Sequence, residues 1–434
     1  MLGAFANAFR TPDLRRKLLF VLFIIVVFRL GSQVPAPGVD VANVQQCLNV
    51  AAQGENAGLY SLINLFSGGA LLQLTIFALG IMPYITASII LQLLVVVIPR
   101  LEALKKEGQA GQTKITQYTR YLTLGLAILQ ASGIVALARS GTLIQGCNVP
   151  LLHDDGIATF LIMVLTMTAG TAVIMWLGEL ITDRGVGNGM SILIFTQVVA
   201  TFPGSLWQVK VTQGWATFAV VIAIGLVIVA AVIFIEHAQR RIPVQYARRM
   251  VGRKMFGGSS TYIPLKVNQA GIIPVIFASS LLYLPGMAVQ FNQNSKNPVI
   301  QFFNDYLVDG SHPLYMAVFF ALIIFFTYFY VSITFNPEEV ADNMKKYGGF
   351  IPGIRAGKPT EEYLSYVLSR ITLPGALYLG LISLIPLIAI VLIGANQNFP
   401  FGGTSILIMV GVALDTVKQI ESQLQQRNYE GFLR

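Results

Sequence analysis

Ten stretches of this chain are apolar enough, and long enough, to cross a lipid bilayer as α-helices. A crossing takes about 20 predominantly apolar residues, and more polar segments separate the stretches. The predicted spans lie near 18–37, 74–98, 116–138, 157–180, 189–206, 215–236, 270–289, 314–335, 371–393 and 403–419. The pattern predicts an all-α membrane protein with ten transmembrane helices.

The segments between these spans alternate in charge. Of the 29 Lys and Arg residues, 24 fall in one set of segments, whereas the other set holds Arg139, Lys210 and Lys296. Because basic loops stay on the cytoplasmic side, we expect both termini to be cytoplasmic. The basic stretch 10–17 precedes a full-length span without a small-residue cleavage site, so we expect no cleaved signal peptide.

Composition agrees with a membrane protein. A chain with 55% hydrophobic residues, 11% charged residues and a mean hydropathy of +0.67 is not an ordinary soluble globular protein. Its net charge of +9 follows mainly from the topology signal and favours attraction to anionic lipid head groups over nucleic-acid binding.

The spans divide into five and five at the outer loop near 207–214. This predicts an N-terminal half, residues 1–206, and a C-terminal half, residues 207–434. With an odd number of spans in each half, related halves would be inverted repeats around a central pore.

One pair of segments supports a repeat. GIMPYITAS at 80–88 and GIIPVIFAS at 271–279 match at six of nine positions, with Pro83 and Pro274 in register. Chance sharing of Gly, Ile and Ala among apolar segments is the alternative. We expect irregular backbone near both prolines, because proline removes a backbone donor.

Three connecting segments are longer than a simple turn. Two are basic cytoplasmic loops, about 237–269 and 336–370, and loops of this length are more often functional. The third is the outer segment 38–73. Its part from 59 to 72 is apolar but too short to cross, which predicts a half-helix that re-enters the membrane; a helix lying at the membrane surface is the alternative.

No catalytic constellation is recognisable in the sequence. The glycines of 353–357 lack the spacing of a phosphate-binding loop, and the three histidines fall in different loops without metal-ligand spacing. No acidic or basic residue lies near the midplane of a predicted span, which weighs against an ion-coupled transporter and fits a channel closed by an apolar constriction, although the residues alone leave both classes open. Channel, secondary transporter and membrane enzyme are the three classes compared, and the enzyme is the least favoured.

Both cysteines of the chain, Cys47 and Cys147, fall in predicted outer loops, where a disulfide can persist. The sequence favours two unpaired cysteines over a bridge, because it does not show that their Cα atoms approach within reach.

Six motifs give the chain a specific resemblance. They are FALGIMPYITAS at 77–88, RGVGNG at 184–189, PLKVN at 264–268, FNPEEVADN at 335–343, PGIR at 352–355 and FGGTS at 401–405. Together they resemble the SecY/Sec61-alpha family, the central subunit of the Sec protein translocase, and the resemblance covers essentially the whole chain.

The resemblance implies a clam-shaped, protein-conducting channel that opens across the membrane for unfolded secretory proteins and sideways for membrane proteins. It implies no enzymatic activity and no cofactor. The implied lateral gate lies between the second and seventh spans, with Thr86, Gln130 and Asn268 as its polar residues. The implied pore ring consists of apolar side chains: Ile81, Ile85, Met190, Ile194, Ile276 and Ile408. Met190 departs from the more usual Ile, but a flexible apolar side chain still suits a seal.

The apolar outer stretch would be the plug of this channel. It comprises Ser61, Leu62, Ile63, Asn64, Leu65, Phe66, Ser67, Gly68, Gly69, Ala70, Leu71 and Leu72.

The two basic loops would dock the ribosome and the motor ATPase SecA. The natural contacts there are Arg248, Arg249, Arg253, Lys254 and Arg355. The other implied partners are SecE and SecG in a heterotrimer, signal peptides and nascent chains, anionic lipids, and further SecDF and YidC. The implied location is the bacterial cytoplasmic (inner) membrane.

Overall fold

The structure is a computed structural model. It describes residues 11–51, 70–71, 73–141, 149–154, 156–246, 249–251, 254–256, 260–291, 298–303, 306–307, 312–393 and 403–430. Most of these residues form helices, and each of the ten predicted spans overlaps a helix.

The helices that precede the first strand cover the first six predicted spans. They are α1 (Pro12–Gly31), α2 (Val41–Ala51), α3 (Met82–Val97), α4 (Pro99–Lys106), α5 (Gln109–Arg139), α6 (Ile157–Arg184) and α7 (Gly189–His237). Helix α7 contains the predicted fifth and sixth spans and is broken at Gly214, whose φ of 84° is not helical.

The remaining elements include five strands. In chain order they are β1 (Gln239–Tyr246), β2 (Arg249–Val251), β3 (Lys254–Phe256), β4 (Ser260–Lys266), α8 (Ile273–Phe291), α9 (Pro298–Phe303), α10 (Pro313–Thr334), α11 (Pro337–Lys346), β5 (Gly349–Phe350), α12 (Lys358–Ile393) and α13 (Gly403–Glu430).

Some of these helices are long enough and apolar enough to be membrane spans. Among the described residues, five helices are apolar enough and long enough to cross: Gln109–Arg139, Ile157–Arg184, Gly214–His237, Pro313–Lys346 and Lys358–Ile385. A sixth results if α3 and α4, bent by 98° to each other, form one span. The total of ten crossings therefore stays a prediction.

The two repeated segments begin their helices in the same way. Gly80 and Gly271 have φ values of 56° and 63°, a backbone conformation that favours glycine. Two residues later α3 and α8 begin, each with proline as its second residue, where a helix needs no N–H donor. The predicted irregular backbone thus lies just before each proline. This common geometry supports the repeat, although the division at residue 206 stays a prediction.

The helices close into a ring. Helix α3 contacts α5 and α8, α8 contacts α10 and α12, α12 contacts α13, and α13 contacts α7, which returns through α6 to α5. The largest apolar cluster among the described residues joins these helices, and side chains from both halves contribute to it.

The two long basic loops contain a sheet that the sequence analysis did not predict. Strand β1 pairs antiparallel with β4 from Gln239↔Lys266 to Gln245↔Ser260, and on its other edge β1 pairs with β5. We call this three-stranded unit, in the order β4-β1-β5, the loop sheet. Its apolar face packs with α11 and the first turns of α12, so both loops share one small core: Ile242, Val244, Leu265, Met344, Ile351, Leu364 and Val367.

At the other end of the bundle, three outer segments pack together as a cap on α5 and α6. We call this cluster of 34–47, 70–79 and 149–152 the outer cap. Backbone hydrogen bonds join its parts: Ala36 N–H donates to Leu74 O at 2.9 Å, and Asp40 N–H donates to Leu151 O at 3.0 Å. Cys47 is fully buried in the outer cap and is disulfide-bonded, so the prediction of an unpaired Cys47 is wrong. Cys147 lies outside the described residues.

Candidate functional site

Five of the six residues predicted to form the pore ring are buried together, on elements from both halves of the chain. Ile81, Ile85, Ile194, Ile276 and Ile408 all belong to the largest apolar cluster, and each is at most 7% exposed. They come from the turn before α3 and from α3, α7, α8 and α13, so four separate helices contribute. These five side chains are branched and apolar, and a constriction formed by such side chains disfavours water and ions.

Met190 lies at the edge of the same cluster and is partly buried. Its sulfur packs against Gly178 of α6 so closely that a Cβ at residue 178 would lie 2.5 Å from Sδ. An unbranched side chain suits this narrow space between α6 and α7. The Met190 side chain is therefore accommodated by a glycine on the neighbouring helix.

The start of α7 is fixed by local hydrogen bonds. The side chain of Asn188 accepts hydrogen bonds from Met190 N–H at 3.0 Å and Ser191 N–H at 3.3 Å, as a helix N-cap does. Thr182 Oγ1 of α6 accepts a further bond of 2.9 Å from Gly189 N–H. These contacts set the position from which Met190 and Ile194 project.

The implied lateral-gate residues lie on or beside elements that do meet. Helix α8 contacts both α3 and α5. Thr86 of α3 donates a 3.0 Å hydrogen bond to Met82 O of its own helix, and Gln130 of α5 is buried. Asn268, before α8, is buried and donates to Glu236 of α7 and to Gly271 O. Among the described contacts, the hydrogen bonds of Asn268 thus stay within the C-terminal half. Its partner Glu236 was not among the residues predicted from the sequence.

The plug stretch lies almost wholly outside the described residues, which include just Ala70 and Leu71 of it. Both are buried, and Leu71 belongs to the outer cap. Ala70 O accepts hydrogen bonds from Thr75 N–H at 3.1 Å and Thr75 Oγ1 at 3.2 Å. The C-terminal end of the stretch is therefore anchored next to the turn that leads into α3.

The predicted docking residues fall on the two loops joined by the loop sheet. Arg355 is exposed in the turn between β5 and α12. Arg249 and Lys254 lie on β2 and β3, which pair as a hairpin. Arg248 and Arg253 lie outside the described residues. The described part of the chain contains no group of three or more His, Cys, Asp or Glu side chains arranged to hold a metal ion.

Comparisons with known proteins agree with the resemblance. A family model described as SecY matches residues 75–417. The protein translocase subunit SecY of Streptomyces galbus is 68% identical over 443 residues, covering 100% of both chains. A solved structure described as a protein-conducting channel matches with a TM-score of 0.64 at 20% identity, covering 94% of this chain and 91% of that chain. Sec61 in a canine ribosome–channel complex matches with a TM-score of 0.61 at 18% identity and the same coverage.

The two solved structures show that the fold is shared, since their sequences are too distant to show more. The family assignment rests on the sequence matches, which extend over most or all of the chain. On that basis this chain belongs to the SecY family.

Proposed function

We propose that this protein is the channel subunit of a Sec-type translocase. It moves unfolded secretory proteins across a membrane and releases membrane proteins sideways into the lipid. Relatives at 68% identity bear the name protein translocase subunit, which makes the protein a channel subunit and not an enzyme. The protein provides a path, and the energy for movement comes from a partner or from the proton-motive force.

The observation that carries this proposal is the buried apolar cluster that the helices of the ring share. Side chains of α3, α7, α8 and α13 meet in one buried cluster, with Ile81 from the turn before α3. A constriction of this kind blocks ions because water in it is disfavoured. It can also widen, since the proposed ring residues are divided among four helices and the turn before α3, and the helices can move apart.

The contact of α3 with α8 is the proposed lateral exit. These two helices come from opposite halves and begin with the same Gly-x-x-Pro geometry. A signal helix that prefers lipid to the pore would leave between them, past Thr86, Gln130 and Asn268. The plug, residues 61–72, would cover the outer side of the closed ring.

The loop sheet and the turn that holds Arg355 are the proposed docking surface for the ribosome and for SecA. The wider set of proposed partners includes SecE and SecG, signal peptides, SecDF, YidC and anionic lipids. The charge distribution supports a bacterial inner-membrane location with both termini and the loop sheet in the cytoplasm.

Reconstitution tests the proposed function. The protein is placed in lipid vesicles with SecE and SecG, and supplied with SecA, ATP and an unfolded secretory precursor. We expect the precursor to become protected from added protease in proportion to ATP hydrolysis. Vesicles without the protein, and vesicles supplied with a precursor that lacks a signal sequence, are the controls.

A secondary transporter would behave differently in the same vesicles. It would accumulate a small solute against its gradient when an ion gradient is applied, and would not protect the precursor. That result would overturn the channel proposal.

A further inference from the structure

Glu236 is the one acidic or basic side chain that is buried within the described parts of the chain. It lies in the last turn of α7, three residues before β1 begins at Gln239. A buried carboxylate is costly unless charges or hydrogen bonds compensate it. Lys266 at the end of β4 and Lys418 of α13 attract this carboxylate, and Asp415 of α13 repels it.

Its direct hydrogen-bond partner is Asn268. Asn268 Nδ2 donates to Glu236 Oε1 at 2.5 Å and also to Gly271 O at 3.1 Å. Gly271 forms the left-handed turn that precedes α8. One amide group therefore connects the end of α7 to the turn that begins the proposed gate helix.

This bond closes the base of the β1–β4 hairpin. The last strand pair is Gln239↔Lys266, and beyond it Val267 N–H donates to Ala238 O at 3.0 Å. The side-chain bond from Asn268 to Glu236 follows directly after this backbone pair. It lies at the point where the loop sheet joins the helix bundle.

Helix α12 packs closely against the backbone that follows β4. Gly375 of α12 approaches so closely that a Cβ there would lie 2.3 Å from Val267 O. This close approach limits movement of the segment between β4 and α8 toward α12. A displacement of the loop sheet can instead be passed along the chain toward Gly271 and α8.

We propose that Glu236 and Asn268 form a clamp that transmits movement of the loop sheet to α8. The inference rests on the proposed function and assigns Glu236 as a positioning residue of the lateral gate. With the clamp closed, the sheet and the start of α8 move as one unit, and the contacts of α8 with α3 and α5 change when a partner displaces the sheet. With the clamp removed, residues 267–272 absorb the movement through changes in their backbone angles.

A further feature agrees with a clamp that acts between two states. Asn268 Oδ1 is buried and has no hydrogen-bond partner among the described residues. A buried acceptor without a partner destabilises the arrangement in which it occurs. An alternative arrangement in which Asn268 Oδ1 accepts a hydrogen bond would therefore compete with the closed arrangement.

The test measures coupling separately from binding. Spectroscopic labels are introduced as unnatural amino acids at Ser88 of α3 and Leu281 of α8, so that the native disulfide is kept. The full-length protein is placed in lipid nanodiscs with SecE and SecG, and the label separation is measured with and without purified ribosomes. Ribosome affinity is measured on the same samples.

We expect ribosomes to change the label separation in the parent protein. In Glu236→Ala and Asn268→Ala, ribosomes should bind within about twofold of the parent affinity while the change in separation falls by more than half. Glu236→Gln keeps an acceptor for Asn268 Nδ2 and should retain most of the change. The control is Glu179→Ala, which removes an ion pair between α5 and α6 with no link to the loop sheet and should respond as the parent does.

Two results would overturn the clamp. One is an unchanged response in Glu236→Ala and Asn268→Ala. The other is a loss of ribosome binding in both, which would mean that the pair maintains the shape of the loop sheet. Failure of the proposed function is distinguishable, since the parent protein would then not protect a secretory precursor in vesicles at all.

Discussion

Thr360 Oγ1 donates a 2.8 Å hydrogen bond to the backbone carbonyl oxygen of Arg355. Thr360 is buried at the start of α12, whereas Arg355 is exposed. Gly353 and Gly357 on either side have φ values of 85° and 102°, which favour glycine. The turn thus has a fixed backbone that presents the arginine side chain to solvent.

Arg355→Glu should abolish SecA-driven translocation and leave the membrane-embedded fold intact. Arg355→Lys should be partly defective, because lysine lacks the planar fork of donors of the guanidinium group. The measurement is ATP-driven protection of a precursor in vesicles, with Lys358→Glu as a nearby charge control. Normal export by Arg355→Glu would show that Arg355 is not needed for SecA-driven translocation.

Thr360→Val should weaken the same activity without changing any charge. The variant keeps the side-chain shape and loses a hydrogen bond worth about 0.5–1.5 kcal/mol, so the turn should sample other conformations. Thr360→Ser should restore export because it restores the hydroxyl group. If valine and serine variants export equally well, the hydrogen bond does not position Arg355.

Ile408→Asn should make the closed ring easier to open. Ile408 is 1% exposed, and a buried amide without partners costs about 1–3 kcal/mol, which disfavours the closed state. We expect higher single-channel conductance and better export of precursors with weakened signal sequences. Ile408→Val keeps the apolar seal and serves as the control; identical behaviour of both variants would show that residue 408 is not part of the seal.

Cys47→Ser should loosen the outer cap. A disulfide typically contributes about 2–4 kcal/mol, and here the bridged Cys47 is fully buried in the apolar cluster of the outer cap. Amide hydrogen exchange should become faster in 34–47 and 149–153 and remain unchanged in the loop sheet. Reduction of the parent protein should reproduce the effect, and unchanged exchange in both experiments would contradict it.

Reversing Arg248 and Arg249 together to glutamate should weaken ribosome binding and flatten its dependence on salt. Each basic side chain that contacts an anionic backbone releases counterions, which makes affinity fall as salt rises. The measurement is ribosome affinity at several salt concentrations. Salt-independent binding by the parent protein would show that electrostatic attraction does not drive ribosome binding.

Much of this architecture could be predicted from the sequence because its signals are local. The apolar runs that predicted the spans coincide with helices, and Pro83 and Pro274 marked where α3 and α8 begin. The family motifs gave the ring residues, and the structure gathers five of the six in one buried cluster. Boundaries were less accurate: α12 begins at Lys358, well before the predicted 371, because its first turns are buried against the loop sheet and not in lipid.

The strands of the loop sheet were harder to predict, because their sequence pattern is weaker than that of the apolar spans. Residues 241–245 alternate between exposed and buried, with Ile242 and Val244 facing the core. That alternation could have indicated a strand, but the basic residues around it suggested loops. The pairing of Tyr246 with Gly349 joins segments about a hundred residues apart, and no periodicity within either segment reveals it.

The sequence by itself determined the chemistry of this protein: long apolar stretches without charges near their middle, and basic segments that alternate with segments poor in positive charge. The tertiary structure decided which distant groups meet, namely the bond of Asn268 to Glu236, the disulfide of Cys47 and the joining of two loops in one sheet. The reason is physical. Hydrophobic periodicity acts over a few residues and is written along the chain, whereas contacts between remote residues depend on how whole helices and loops pack, and only the folded chain contains that information.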